Sequence, residues 1–229
     1  MRFRLGTMAV VLFSITALKA GAAPDAKPLE KLKEMAQLIP GHCKTLEAET
    51  KGWASAIPAN RVPRAQELMV VCKALPEEPT QDVIDTIGAA IFQYKPTAEP
   101  LAETVLASEC IKQCSDIAKG LINSAQAKAS KKEILGYLAK PKLPTLATAL
   151  HQYEVLTLGA QKGLWKLGKE DEAELEKVNE ERKKAIVEFA PLKDGPGKLG
   201  PTQHPKYLEE IKASIGFLER QMPIVKKLK

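Results

Sequence analysis

Apolar residues return every three or four positions along almost the whole chain, the spacing that puts one face of a helix into a core. Leu29, Leu32, Ala36 and Ile39 make the first such stripe, ended by Pro40-Gly41. Cys43, Leu46, Thr50, Trp53 and Ile57 make the second, closed by Pro58. Ala65, Leu68, Cys72 and Leu75 form a third between Pro63 and Pro76. Thr80 is the expected N-cap of a fourth, with Val83, Ile87, Ala90, Ile91 and Tyr94 inward. Pro100 opens a longer helix whose seam is Ala107, Ile111, Cys114, Ala118, Leu121 and Ala125.

Ser130 is the expected cap of a short helix through Lys140. Thr145 caps the next, with Leu146, Leu150, Tyr153, Leu156, Ala160, Leu164 and Leu167 along it. Beyond Gly168, a charged helix from Glu170 to Phe189 turns Leu175, Val178, Ala185, Ile186 and Phe189 inward and pairs Glu180 with Lys184. Ala190 to Lys206 is rich in Gly and Pro and reads as a loop. The last helix starts at Lys206 and carries Leu208, Ile211, Ile215, Leu218, Met222 and Val225. Pro223 inside it predicts a kink or a restart.

No stretch alternates with period two over a strand's length. The expected fold is therefore all-α, a disulfide-stapled bundle of about eight helices. Ala36-Gln37, Cys43-Lys44 and Leu46 recur as Ala65-Gln66, Cys72-Lys73 and Leu75, but Pro40-Gly41 breaks the first copy and no duplicated unit is assigned.

The first residues change the picture of where the chain works. Arg2 and Arg4, an apolar run from Met8 to Leu18 and the small residues Ala20-Gly21-Ala22 have the three parts of a secretory signal peptide. Residues 1–22 are expected to be cleaved, leaving 23–229 as one helical domain with a possible sub-boundary near 130. The expected location is secreted or periplasmic. No later run is long and apolar enough to predict a transmembrane anchor.

The full chain has 34 basic and 28 acidic residues, a net charge of +6. Arg2, Arg4 and Lys19 leave with the signal, which brings 34 to 31 against 28, a net +3. That near-neutral balance, with no basic run interleaved with aromatics, argues against a nucleic-acid partner.

Four cysteines remain after signal removal, an even number in an exported chain, and disulfides follow. Cys110 and Cys114 are one helical turn apart, too far for a bridge without distortion. The favoured arrangement is two bridges from that helix, one to Cys43 and one to Cys72, in either pairing. Each would close about 40 to 70 residues and contribute about 4 kcal/mol. A Cys43–Cys72 pairing across a helical hairpin is the competing arrangement.

The same residues carry the sharper alternatives. Cys110, Cys114, Cys72 and Cys43 with His42 could hold a soft metal, although the C-x₃-C spacing lacks the usual zinc pattern. Cys110 and Cys114 could also act in thiol exchange, which normally needs a fold with strands. His151 on a helix flank, His204 in the loop and the acids Glu170, Asp171, Glu172, Glu174 and Glu176 offer no reaction signature, and no catalytic residue is assigned. Trp53 belongs to a core seam, and Trp165, off the strict seam, is the weak candidate for a ligand pocket. No cofactor motif is present.

The function expected is that of an exported, non-catalytic helical protein binding a protein, an envelope component or an apolar ligand. The alternatives are a soft-metal or thiol-redox protein using Cys110 and Cys114, and an enzyme with a carboxylate/His site.

Overall fold

The computed structural model describes residues 46, 50, 53, 55–74, 108–139, 145–190 and 204–228. The predicted signal, the helices expected at 29–39 and 80–94, Cys43 and His42 lie outside the described residues. Within them the chain is helical, with no strand. A 3₁₀ turn at Ala59–Arg61 leads into α1 (Val62–Ala74), followed by α2 (Ser108–Ile122), α3 (Lys131–Leu138), α4 (Leu146–Gln161), α5 (Lys169–Phe189) and α6 (His204–Leu228). The expected count of about eight is not matched: six α-helices stand among the described residues.

The helix ends follow local chemistry. Pro63 occupies the first turn of α1, where its missing N–H leaves no bond unmade. Thr145 caps α4 as expected, its Oγ1 accepting from the Thr148 N–H at 3.0 Å. α4 ends at Gln161, short of the expected Leu167. Gly163 adopts φ 67°, the Gly163 N–H donates to the Ala160 carbonyl and the Leu164 N–H to that of Gly159. This is a Schellman stop, and it removes Leu164 and Leu167 from the helical stripe. Glu170, Asp171 and Glu172 fill the first turn of α5, where the helix dipole favours acids.

Three further expectations are corrected. The last helix begins at His204 and continues to Leu228 as one helix, so no restart occurs at the exposed Pro223. Ile186 is 43% exposed, since the inward stripe of α5 passes through Ala185 and Phe189. Glu180 pairs with Lys183 at 2.5 Å instead of with Lys184.

α4 is the central helix, packing against α2, α5 and α6, while α1 packs on α2 and α3. One buried cluster joins Leu68, Met69, Ile117 and Leu121 to Ile134, Leu156, Leu175 and Val225, so it crosses position 130. A second, with Ala149, Val178, Phe189, Ile211 and Leu218, fills the α4–α5–α6 interface. Polar ties reinforce these contacts. Lys119 on α2 reaches Glu154 on α4 at 2.7 Å, Gln221 on α6 donates to the Ala149 carbonyl, and Arg220 on α6 grips Glu174 and Glu181 on α5.

Cys72 and Cys114 form a disulfide that fixes the end of α1 to the middle of α2. The competing Cys43–Cys72 pairing is thereby excluded, as is a Cys110–Cys114 bond. Cys110 is fully buried beside them.

A candidate anion-binding site between α1 and α3

α1 runs alongside α3, Gln66 meeting the start of α3 and Lys73 lying farther along it, and a cavity of ≈ 520 Å³ opens beside the two helices. Lys73, Lys128, Lys131 and Lys132 line it together with Ala129, Leu135 and Gly136. Among the described residues no acid lines it and none of these four lysines makes an ion pair. The volume falls in the range of small-molecule sites.

Each ammonium is placed by the local fold. Gln66 and Lys73 are seven residues apart and share the face of α1 that meets α3. Gln66 donates to the buried Ser130 hydroxyl at 3.1 Å. Ser130 therefore stands at the N-cap position of α3 without its side chain capping the helix; it locks α3 to α1 instead. Seven residues on, Lys73 lies across Gly136. A Cβ there would overlap Lys73 Cε and sit 2.7 Å from Nζ, so glycine is what admits the lysine. The neighbouring Cys72 is bonded to Cys114, which holds this end of α1 in place.

The electrostatics of the turn are unusual. The N-terminus of a helix carries partial positive charge, and a cation there is unfavourable by about 0.3–1 kcal/mol. Lys131 and Lys132 occupy the first turn of α3, and Lys128 lies three residues before it. The one acid in that turn, Glu133, does not line the cavity, and its buried Oε2 has no partner among the described residues. Four like charges and a helix terminus thus face one space without a compensating acid among the described residues.

Other polar clusters are explained by packing. His151 Nδ1 lies 3.4 Å from Glu154, and this carboxylate also takes the Lys119 ammonium. Hydrogen bonds from His151 and Lys119 hold Glu154 down at about 2, ionised and spoken for. The pair lines neither described cavity. A second cavity of ≈ 360 Å³ is bounded by Tyr153, Thr157, Leu167, Glu172 and Glu176, with the Tyr153 hydroxyl donating to Glu176 at 2.8 Å. Arg182 is buried, and its Nε and Nη2 donate to Asn179 Oδ1 at 3.3 and 2.9 Å.

The residues singled out from sequence do not converge on one site. Cys72 and Cys114 are bonded to each other. Among the described residues no three His, Cys, Asp or Glu side chains assemble into a metal-binding group. Trp165 is 4% exposed, packs on Gly159, donates to the Leu156 carbonyl at 2.8 Å and lines neither cavity. The four lysines were not picked out in advance. Lys73 lies more than fifty residues from the others, but the spacing of Lys128, Lys131 and Lys132 around an N-cap serine breaks the dipole rule and was the available signal.

No family model, curated protein or solved structure matches the chain.

Proposed function

We propose that this is an exported, non-catalytic helical binding protein, and that its ligand is an anion held in the four-lysine cavity. The observation that carries this is the set of Lys73, Lys128, Lys131 and Lys132 around one ≈ 520 Å³ space with no acid among the described residues that line it. Water can solvate such a set, but an anion relieves the mutual repulsion and the conflict with the α3 dipole together. The signal-like residues 1–22 and the Cys72–Cys114 disulfide support export, since such bonds persist in oxidising compartments. The core cluster that crosses position 130 supports a single domain.

Calorimetric titration of the protein with inorganic tripolyphosphate tests the reading. Saturable binding that weakens with added salt, and by about tenfold in Lys131→Ala/Lys132→Ala, is expected. Equal binding by that variant and the parent would end the assignment.

The enzyme alternative keeps one observation in its favour, the His151–Glu154 contact. The thiol alternative would centre on buried Cys110, since Cys114 is engaged with Cys72. A thiol count on protein purified without reductant separates it from the binding reading.

A further inference from the structure

Resting on that anion reading, we infer that the ligand is a small molecule bearing at least two phosphate groups, and that Gly136 sets its affinity by admitting Lys73. The charge count comes first. Each phosphate monoester carries about −1.5 to −2 near neutral pH, so two such groups match the four ammoniums around the cavity.

The type of cation comes second. Among the described residues no arginine lines the space. A lysine ammonium binds phosphate as a point charge, its three N–H donors serving tetrahedral oxygens from any side without the fixed fork of a guanidinium. The placement comes third. Lys131 and Lys132 stand on the first turn of α3, where a dianion turns an unfavourable arrangement of cations into a favourable one. Leu135 and Ala129 give the remaining wall an apolar surface for a carbon scaffold.

Gly136 makes the arrangement specific. Its missing side chain is the space that Lys73 Cε and Nζ occupy. Gly136→Ala keeps all four lysines and the net charge while pushing the Lys73 ammonium away. The displaced atoms are the flexible end of a side chain, so the helix itself tolerates the change.

The test is calorimetry on the full chain at pH 8 in low salt. The probes are fructose 1,6-bisphosphate and 1,2,3,4-butanetetracarboxylate, each with a charge of about −4 there. The bisphosphate is expected to bind at least about tenfold tighter. Gly136→Ala should weaken it by about threefold or more with unchanged circular dichroism. Tripolyphosphate in parallel distinguishes an inorganic phosphate chain from an organic bisphosphate by which binds tighter. Equal affinity for the tetracarboxylate would overturn the phosphate assignment while leaving the anion site standing. No binding of any probe would overturn both. Unchanged affinity in Gly136→Ala would remove Lys73 from the site.

Discussion

The same substitution, glycine to alanine in a helix, should have opposite effects at two positions of this protein. Gly159 on α4 faces the Trp165 ring, and a Cβ there would overlap three atoms of its six-membered ring. Trp165 has little room to retreat. It is 4% exposed and its Nε1–H donates to the Leu156 carbonyl at 2.8 Å. The Gly159 carbonyl also accepts the bond from Leu164 that closes the helix. Overpacking costs about 1–3 kcal/mol, and losing a buried indole hydrogen bond costs about 1–3 more. Against this stands about 1 kcal/mol of helix propensity gained. The net expectation for Gly159→Ala is a loss of about 2 kcal/mol.

Among the described residues, nothing lies within 4 Å of a Cβ built at Gly216 on α6. Gly216→Ala should gain about 0.5–1 kcal/mol from propensity and unfolded-state entropy. The two variants should therefore differ by about 3 kcal/mol, or about 1.5 M in the midpoint of urea unfolding at an m-value near 2 kcal/mol/M. Far-UV circular dichroism against urea reads this directly. Trp165→Leu should relieve Gly159→Ala, with a coupling of about 1 kcal/mol in a double-mutant cycle. Equal stabilisation by both glycine substitutions would refute the Gly159–Trp165 packing and with it the described end of α4.

Other consequences concern charge and the disulfide. Removing the Cys72–Cys114 bond, which closes a separation of 42 residues, should cost about 4 kcal/mol in the chain-entropy account, read as a fall in urea midpoint for Cys72→Ala/Cys114→Ala. Peptide mapping without reductant should recover Cys72 joined to Cys114. The two-bridge arrangement assigns the remaining pair to Cys43 and Cys110, and both as thiols would contradict it.

Glu154 and Glu210 should give opposite pH dependences. His151 and Lys119 lower Glu154 to about 2, so its contribution is present above the ordinary carboxylate range and is lost as pH falls from about 4.5 to about 2. Because the side chain is 35% exposed, only about 1 kcal/mol is expected. Acid unfolding of Glu154→Gln should lack that part of the slope. Burial raises Glu210 to about 7, so stability falls as pH rises from about 4.5 through 7. Glu210→Gln should then be more stable than the parent at pH 8, by about 1 kcal/mol.

The fold was legible where one residue decides an element by its own chemistry. Thr145 announced α4, and the seam through Cys72, Cys114, Ala118 and Leu121 announced helices that bury those side chains. Periodicity carried on too far at Leu164 and Leu167, because apolar spacing continued beyond Gly163, whose left-handed backbone stops the helix. Ile186 looked inward from spacing alone, but the neighbour that would cover it is absent among the described residues.

The candidate site was the least legible part. It is made where α1 packs along α3, and the residues that permit this packing, Gln66, Ser130 and Gly136, have no functional signature of their own. Only the lysines at the wrong end of α3 carried a local sign, a rule of helix electrostatics broken with no compensating acid among the described residues of the cavity.

The central claim is that one place on this protein collects an anion. An amide NMR titration with tripolyphosphate tests it most directly. The account predicts saturating shifts at Lys73 and through 128–136, with the lysines of α5, Lys177, Lys183 and Lys184, unaffected. Shifts spread evenly over the lysines of both regions, growing without saturation, would contradict it.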